Sequence, residues 1–253
     1  MSTAKQVRVL LLLILLLPLV ILAFWEQDRR PDWQRTLIVG LYPHNADGSA
    51  EVDDWIERLV PEDFQPIEDF LAEQATRHGL ELEQPFEIRL GEVISHAPPP
   101  PPAGGAWYER LSWAVRLRWW HFRLDRQGLE PDIVLVASYQ KDPTGFTELH
   151  SIGMPSPRLG LSQLSGGEEH TAFNQVVLAH ELLHTVGALD LYGPDGRAQF
   201  PEGYAEPDRE PRYPQQRAEL MAMALPLSPE LSHPPRDLGE VQVGQRTAEE
   251  IGW

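Results

Sequence analysis

The run from His180 to Asp190 reads His-Glu-x-x-His-x-x-Gly-x-x-Asp, residue types and spacing that can hold a metal ion beside a base. On a helix, residues four apart lie about 40° apart around the axis and roughly 6 Å along it. His180 and His184 therefore present two imidazoles from one face. Glu181 is turned about 100° from His180, which suits it to reach a metal-held water as a general base rather than to join the ligands. Gly187 can leave the helix through a left-handed turn that other residues resist. The chain can then fold back and offer Asp190 as a third ligand. Two histidines and one carboxylate leave one position open, the arrangement expected of a catalytic zinc site.

The surroundings strengthen this reading. Phe173, Val176, Val177, Leu178, Ala179, Leu182, Leu183 and Val186 make the segment apolar on nearly every side, so a helix from about Thr171 to Val186 is expected to be buried. Two imidazoles and a carboxylate in a buried helix need partners, and a bound cation supplies one.

The segment from His180 to Asp190 resembles the extended zinc-binding motif of the metzincin metallopeptidases. Most of that clan has a third His where this chain has Asp190, and an aspartate there resembles the snapalysin-like branch. Gly187-Ala188-Leu189-Asp190-Leu191-Tyr192 is also similar to a stretch of immune-inhibitor-A-type peptidases. The resemblance implies one catalytic Zn2+ on His180, His184 and Asp190, with Glu181 as the catalytic base in hydrolysis of a peptide or protein substrate. It also implies a Met-containing turn beneath the metal. Glu219-Leu220-Met221-Ala222-Met223 is the candidate, with Met221 favoured and Met223 the alternate. Tyr192, Tyr204 and Tyr213 are candidates to contact the substrate or its oxyanion. The other class of reading is a non-catalytic metal-binding envelope scaffold or binding protein. Glu181 separates the two, since hydrolysis needs a base beside the metal and binding does not. Asp190 in place of a third imidazole lowers the charge of the centre from about +2 to about +1. An activity optimum shifted toward neutral or alkaline pH, compared with a centre of three histidines, is expected.

The elements that must position these residues are legible in outline. Thr36–Tyr42, Phe86–Ile94 and Asp132–Tyr139 read as buried strands, and Pro61–His78 as a helix closed by Gly79. Trp107–Leu124 reads as a helix with Leu111, Val115, Trp119 and Phe122 on one face. That face is expected to pack on a sheet, with contact to a membrane surface as the alternative. Pro98–Pro102 is expected to be a stiff exposed spacer. His150–Leu164 reads as two short strands, with Arg158–Leu164 as the edge strand. A helix is expected before Met221 and another from about Thr247. The fold class is α/β (α+β): a mixed twisted sheet with helices, metzincin-like under the resemblance, and a smaller loop-rich C-terminal part. Under the resemblance a substrate peptide pairs with the edge strand, and the loop Ala224–Leu227 walls a pocket. The domains are a signal anchor or transmembrane helix at 1–25, a linker at 26–35, a catalytic subdomain at 36–190 and a C-terminal subdomain at 191–253.

Composition sets the remaining bounds. The chain has 253 residues and a formal net charge of −17, which argues against nucleic-acid binding. It has no cysteine, which excludes disulfides, thiolate metal sites and a cysteine-capped zymogen. Val9–Trp25 is an uncharged Leu-rich run after Lys5 and Arg8, at the short limit for a membrane span. Bulky residues around Ala23 disfavour signal cleavage, so an uncleaved anchor with an extracytoplasmic domain is expected, and secretion after cleavage is the alternative. The histidines at 44, 78, 96, 121, 150, 170 and 233 have no ligand spacing to one another.

Overall fold

Two unbroken apolar runs become the central strands β1 (Leu37–Asn45) and β3 (Ile133–Gln140) in the computed structural model. It describes residues 31–102, 106–126, 128–141, 152–155 and 158–253, and Lys5. The runs show no polar alternation because both of their faces are covered, as in parallel sheets generally. β2 (Phe86–Leu90) flanks β1, β5 (Arg158–Ser165) flanks β3, and β4 (Ile152–Pro155) lies outermost, in the order β2-β1-β3-β5-β4. Every pairing is parallel except that of β4 with β5. The chain is therefore a mixed α/β protein.

Five helices are described: α1 (Ala50–Ile56), α2 (Gln65–Arg77), α3 (Trp107–Arg123), α4 (Thr171–Thr185) and α5 (Gln245–Ile251). Alternate strand residues divide them between two faces. Val39, Leu41, Ile133 and Leu135 pack with Ile67 and Leu71 of α2 and Leu178 and Leu182 of α4. Val134, Val136, Leu159 and Tyr42 instead meet Leu117 of α3, backed by Trp113 and Trp120. The first core continues through Leu191, Leu220, Met221, Val241 and Ala248, so residues 191–253 share it with the sheet. Short ladders complete that part: β6 (Ala218–Glu219) beside β9 (Val241–Gln242), and β7 (Leu225–Pro226) beside β8 (Ser232–His233).

Four expectations are corrected. Arg158–Leu164 is not the edge strand: β5 is bonded on both sides, and β4 holds the edge. The α3 face of Leu111, Val115, Trp119 and Phe122 points outward, because the bulkier stripe of Trp113, Leu117 and Trp120 takes the sheet. Between Thr185 and Met221 no α-helix forms. Pro207, Pro211 and Pro214 keep that stretch irregular, and only a 3₁₀ turn forms at Leu220–Ala222. Pro98–Pro102 is not a free spacer, since the Pro99 carbonyl accepts the Trp113 indole N–H at 2.9 Å. None of the described helices is long and apolar enough to cross a membrane. The apolar run Val9–Trp25, the first half of the linker (26–30) and His150 lie outside the described residues.

Candidate metal centre

α4 brings the site to the sheet. Its neighbour β5 carries Gly160 where any Cβ would collide with Leu135, and the Glu181 carbonyl lies 3.6 Å from that same point. Glycine there leaves room for the Leu135 side chain beneath the helix. Asn174, one of its few buried polar residues, spends its amide on both backbone groups of Ser165.

The helix ends as its sequence requires. Gly187 adopts φ 114°, the Ala188 N–H donates to the Leu183 carbonyl at 3.1 Å, and the Gly187 N–H donates to that of His184 at 3.2 Å. This pair of bonds is the Schellman ending, with glycine at the left-handed position. The turn aims the chain back at the helix. Glu250 of α5 fixes it there by accepting the Leu189 N–H at 2.9 Å.

Asp190 is thereby placed beside both histidines. His184 Nε2 lies 3.0 Å from His180 Nε2 and 3.1 Å from Asp190 Oδ1, and His180 Nε2 lies 3.4 Å from the same oxygen. A tetrahedral zinc with ligand bonds of ~2.05 Å separates its ligand atoms by about 3.3 Å. The triangle matches that edge length. Glu181 also belongs to a cluster with the two histidines in which ligand atoms lie within 4.8 Å. Its Oε1 is 3.8 Å from His180 Nε2, farther than the 3.4 Å at which Asp190 Oδ1 stands from the same atom.

The imidazole tautomers follow from their outer nitrogens. His180 Nδ1 faces the Leu220 carbonyl at 3.1 Å, and His184 Nδ1 faces the Ala188 carbonyl at 2.8 Å. A carbonyl only accepts, so both Nδ1 atoms carry hydrogen and both Nε2 atoms present lone pairs. Two lone pairs and a carboxylate oxygen then converge with no donor between them. Such a convergence is stable only around a cation. Without metal, a proton takes that place. Burial works to lower the His184 pKa, yet the hydrogen bond and charge of Asp190, with the charge of Glu181, carry it above its usual value. Burial opposes ionisation of Asp190, but the two histidines hold its carboxyl well below the usual carboxylate range.

Glu181 is 2% exposed, and its Oε2 has no hydrogen-bond partner within the protein. Burial raises its pKa against the pull of His180 and His184. Of the three tyrosines, Tyr192 joins the site: burial and then the charge of nearby Asp190 push its hydroxyl up to about 12. Tyr204 and Tyr213 instead bond each other at 3.0 Å. Met221 is fully buried in the main core, while Met223 is partly exposed and takes a left-handed φ of 50°. The turn around Met221 is tied to the site twice: Leu220 offers His180 its carbonyl, and the Met221 carbonyl accepts the Leu191 N–H at 3.0 Å.

No family model matches the chain. No curated protein matches it either. Among solved structures it is similar to a chain from a structure of a chaperone–substrate complex, at TM-score 0.40 and 12% identity over 85% of this chain and 33% of that one. It is also similar to wild-type OgpA from Akkermansia muciniphila, at TM-score 0.36 and 12% identity over 88% of this chain and 62% of that one. The chain thus spans about a third of the first and just under two thirds of the second.

One functional side chain is absent from the sequence reading. Glu219, fully buried beside the Met221 turn, accepts the Thr247 hydroxyl at 2.7 Å, the Gly244 N–H at 3.1 Å and the Ala222 N–H at 3.0 Å. It clamps the turn that orients His180 to the start of α5. Its signal was a lone acid inside the apolar run Ala218–Ala222.

Proposed function

We propose that this chain is a zinc-dependent endopeptidase of metzincin type, tethered to a membrane through its N-terminal apolar run and facing the extracytoplasmic space. The observation that carries the reading is the convergence of His180 Nε2, His184 Nε2 and Asp190 Oδ1 into a triangle of tetrahedral edge length, with both imidazole tautomers fixed. A zinc ion bound there supplies a Lewis acid that polarises a carbonyl and makes water a nucleophile near neutral pH.

The protein's own groups do the rest. Glu181 takes the proton from the attacking water and passes it to the leaving amine, and burial tunes its carboxyl upward for both tasks. Tyr192 lies near Asp190, whose charge adds to burial in raising its hydroxyl, and stands as the tyrosine placed to contact the substrate or its oxyanion. β4, the antiparallel strand at the sheet edge, takes the part that the metzincin resemblance gives to the strand pairing with substrate.

The test combines metal content with cleavage of a broad peptide library. The purified chain should hold one zinc per molecule and cleave internal bonds. Glu181→Gln should keep its zinc and lose roughly 10²-fold or more in kcat. His184→Ala should lose the zinc. Stoichiometric zinc without any cleavage would leave the binding-protein reading instead.

A further inference from the structure

α3 carries two apolar stripes on opposite sides. Trp113, Leu117 and Trp120 face the sheet. About 180° away, at ~100° per residue, Trp107, Tyr108, Leu111, Val115, Trp119 and Phe122 form an outward aromatic and aliphatic band, with half-buried Arg118 within its arc. Phe122 is 80% exposed and Trp107 75%. α3 is the helix that covers this face of the sheet, while α1, α2 and α4 pack into the core on the other. A band of this size and aromatic content is not ordinary surface scatter.

The charge around the band selects its partner. The chain as a whole is −17, but α3 holds four arginines against one glutamate. Arg110 lies on one flank of the band, and Arg116 and Arg123 lie on the other, all exposed. The Arg123 guanidinium sits over the Trp119 ring, 5.3 Å from its centre. Tryptophan and phenylalanine flanked by arginine is the composition that enters a headgroup layer, with rings at the acyl boundary and cations on lipid phosphates. On the proposed reading of the apolar run as an anchor, on which this step rests, the length of the linker brings a bilayer within reach. Arg35 is bound to Asp132 at 2.5 Å, on the segment that connects α3 to β3. Trp25, where the apolar run ends, lies ten residues before Arg35 and so at most about 35 Å away along an extended chain.

We propose that the outer face of α3 docks on an anionic phospholipid surface, with the aromatic band in the interface and Arg110, Arg116 and Arg123 on the headgroups. The metal centre lies against the opposite face of the sheet, so docking turns the cleft away from the bilayer and toward extramembrane chains.

The full chain has no cysteine, so a single introduced thiol gives a unique label. Val115→Cys and Phe122→Cys, carrying a nitroxide, are placed in vesicles of phosphatidylcholine with or without phosphatidylglycerol, with Glu73→Cys on α2 as the reference. These positions are exposed, so labelling leaves the fold intact, and the melting temperature checks that. With phosphatidylglycerol, the labels at 115 and 122 should be reached by oxygen in preference to a water-soluble nickel chelate, while the label at 73 stays aqueous. Arg110→Gln with Arg116→Gln should cut the docked-to-free ratio by roughly fivefold per arginine. Three results overturn the proposal. Labels that stay aqueous in both vesicle types mean that the band remains in water. Protection from both reagents with spin–spin broadening means a second copy covers it. Protection from both without broadening, whatever the lipid, means a protein segment such as residues 9–25 does.

Discussion

Replacing Glu219 by alanine tests whether the metal site is held from beneath. The substitution leaves three buried donors without their acceptor: the Thr247 hydroxyl, the Gly244 N–H and the Ala222 N–H. Each orphaned donor costs about 1–3 kcal/mol. The low end applies, because the mutation also releases the cost of burying a carboxylate, which burial already pushes upward in pKa against those same hydrogen bonds. A net loss of about 3 kcal/mol follows, or roughly 6–12 °C in melting temperature for a domain of this size. Calorimetry of the zinc-free and zinc-loaded forms measures it. The same variant loosens the turn that offers His180 its Leu220 acceptor, so zinc affinity should fall about 10–100-fold. A melting temperature within about 2 °C of the parent would refute the energetic reasoning. A lowered melting temperature with unchanged zinc affinity would refute the link from the turn to His180. The pH dependence gives an independent sign. The raised folded pKa of Glu219 means its contribution is fully present below the unfolded value near 4.3 and is lost as pH rises through the folded one, a slope that Glu219→Gln should remove.

Zinc-free protein should respond to pH in the opposite sense from its zinc affinity. His184 has a raised folded pKa, so its stabilising pair with Asp190 is present below the unfolded value near 6.5 and fades as pH rises through the folded one. Asp190, whose pKa is depressed, keeps its share down to acid pH and loses it below about 4. Zinc affinity instead rises with pH as the proton leaves, and parallel melts and zinc titrations from pH 5 to 8 check both trends. Gly160→Ala should cost about 1–3 kcal/mol by displacing the buried Leu135 side chain, and kcat should fall where that repacking reaches Glu181. Denaturant melts alongside peptide cleavage would show whether the two losses travel together.

The legible parts of the sequence were those in which one pattern had one structural solution. His180, Glu181 and His184 sit in a helix apolar all round, and Gly187 at its exit permits only a few endings, one of which returns Asp190 to the histidines. β1 and β3 announced themselves as apolar runs without alternation. α3 failed for the opposite reason. Both of its stripes are apolar, and periodicity alone cannot say which one meets the sheet. The edge strand was assigned to β5 because lateral order in a sheet arises from long-range pairing, which no local pattern encodes. α1 escaped notice as a single short stretch, although Ser49 caps it and Val52 and Ile56 share a face. Glu219 was invisible because its partners come from Gly244 and Thr247, far along the chain.

The two carbonyls that fix the imidazoles belong to Ala188 and Leu220, and the loop bearing Asp190 is held by Glu250. During synthesis the motif therefore emerges well before its supports. Up to that point the histidines can rotate, their tautomers are free and the ion has only a loose claim on them. The centre is completed when the region around Glu250 folds back. Under the proposed zinc reading, metal capture follows that folding step, and a product cut short before Glu250 would carry the motif without these supports.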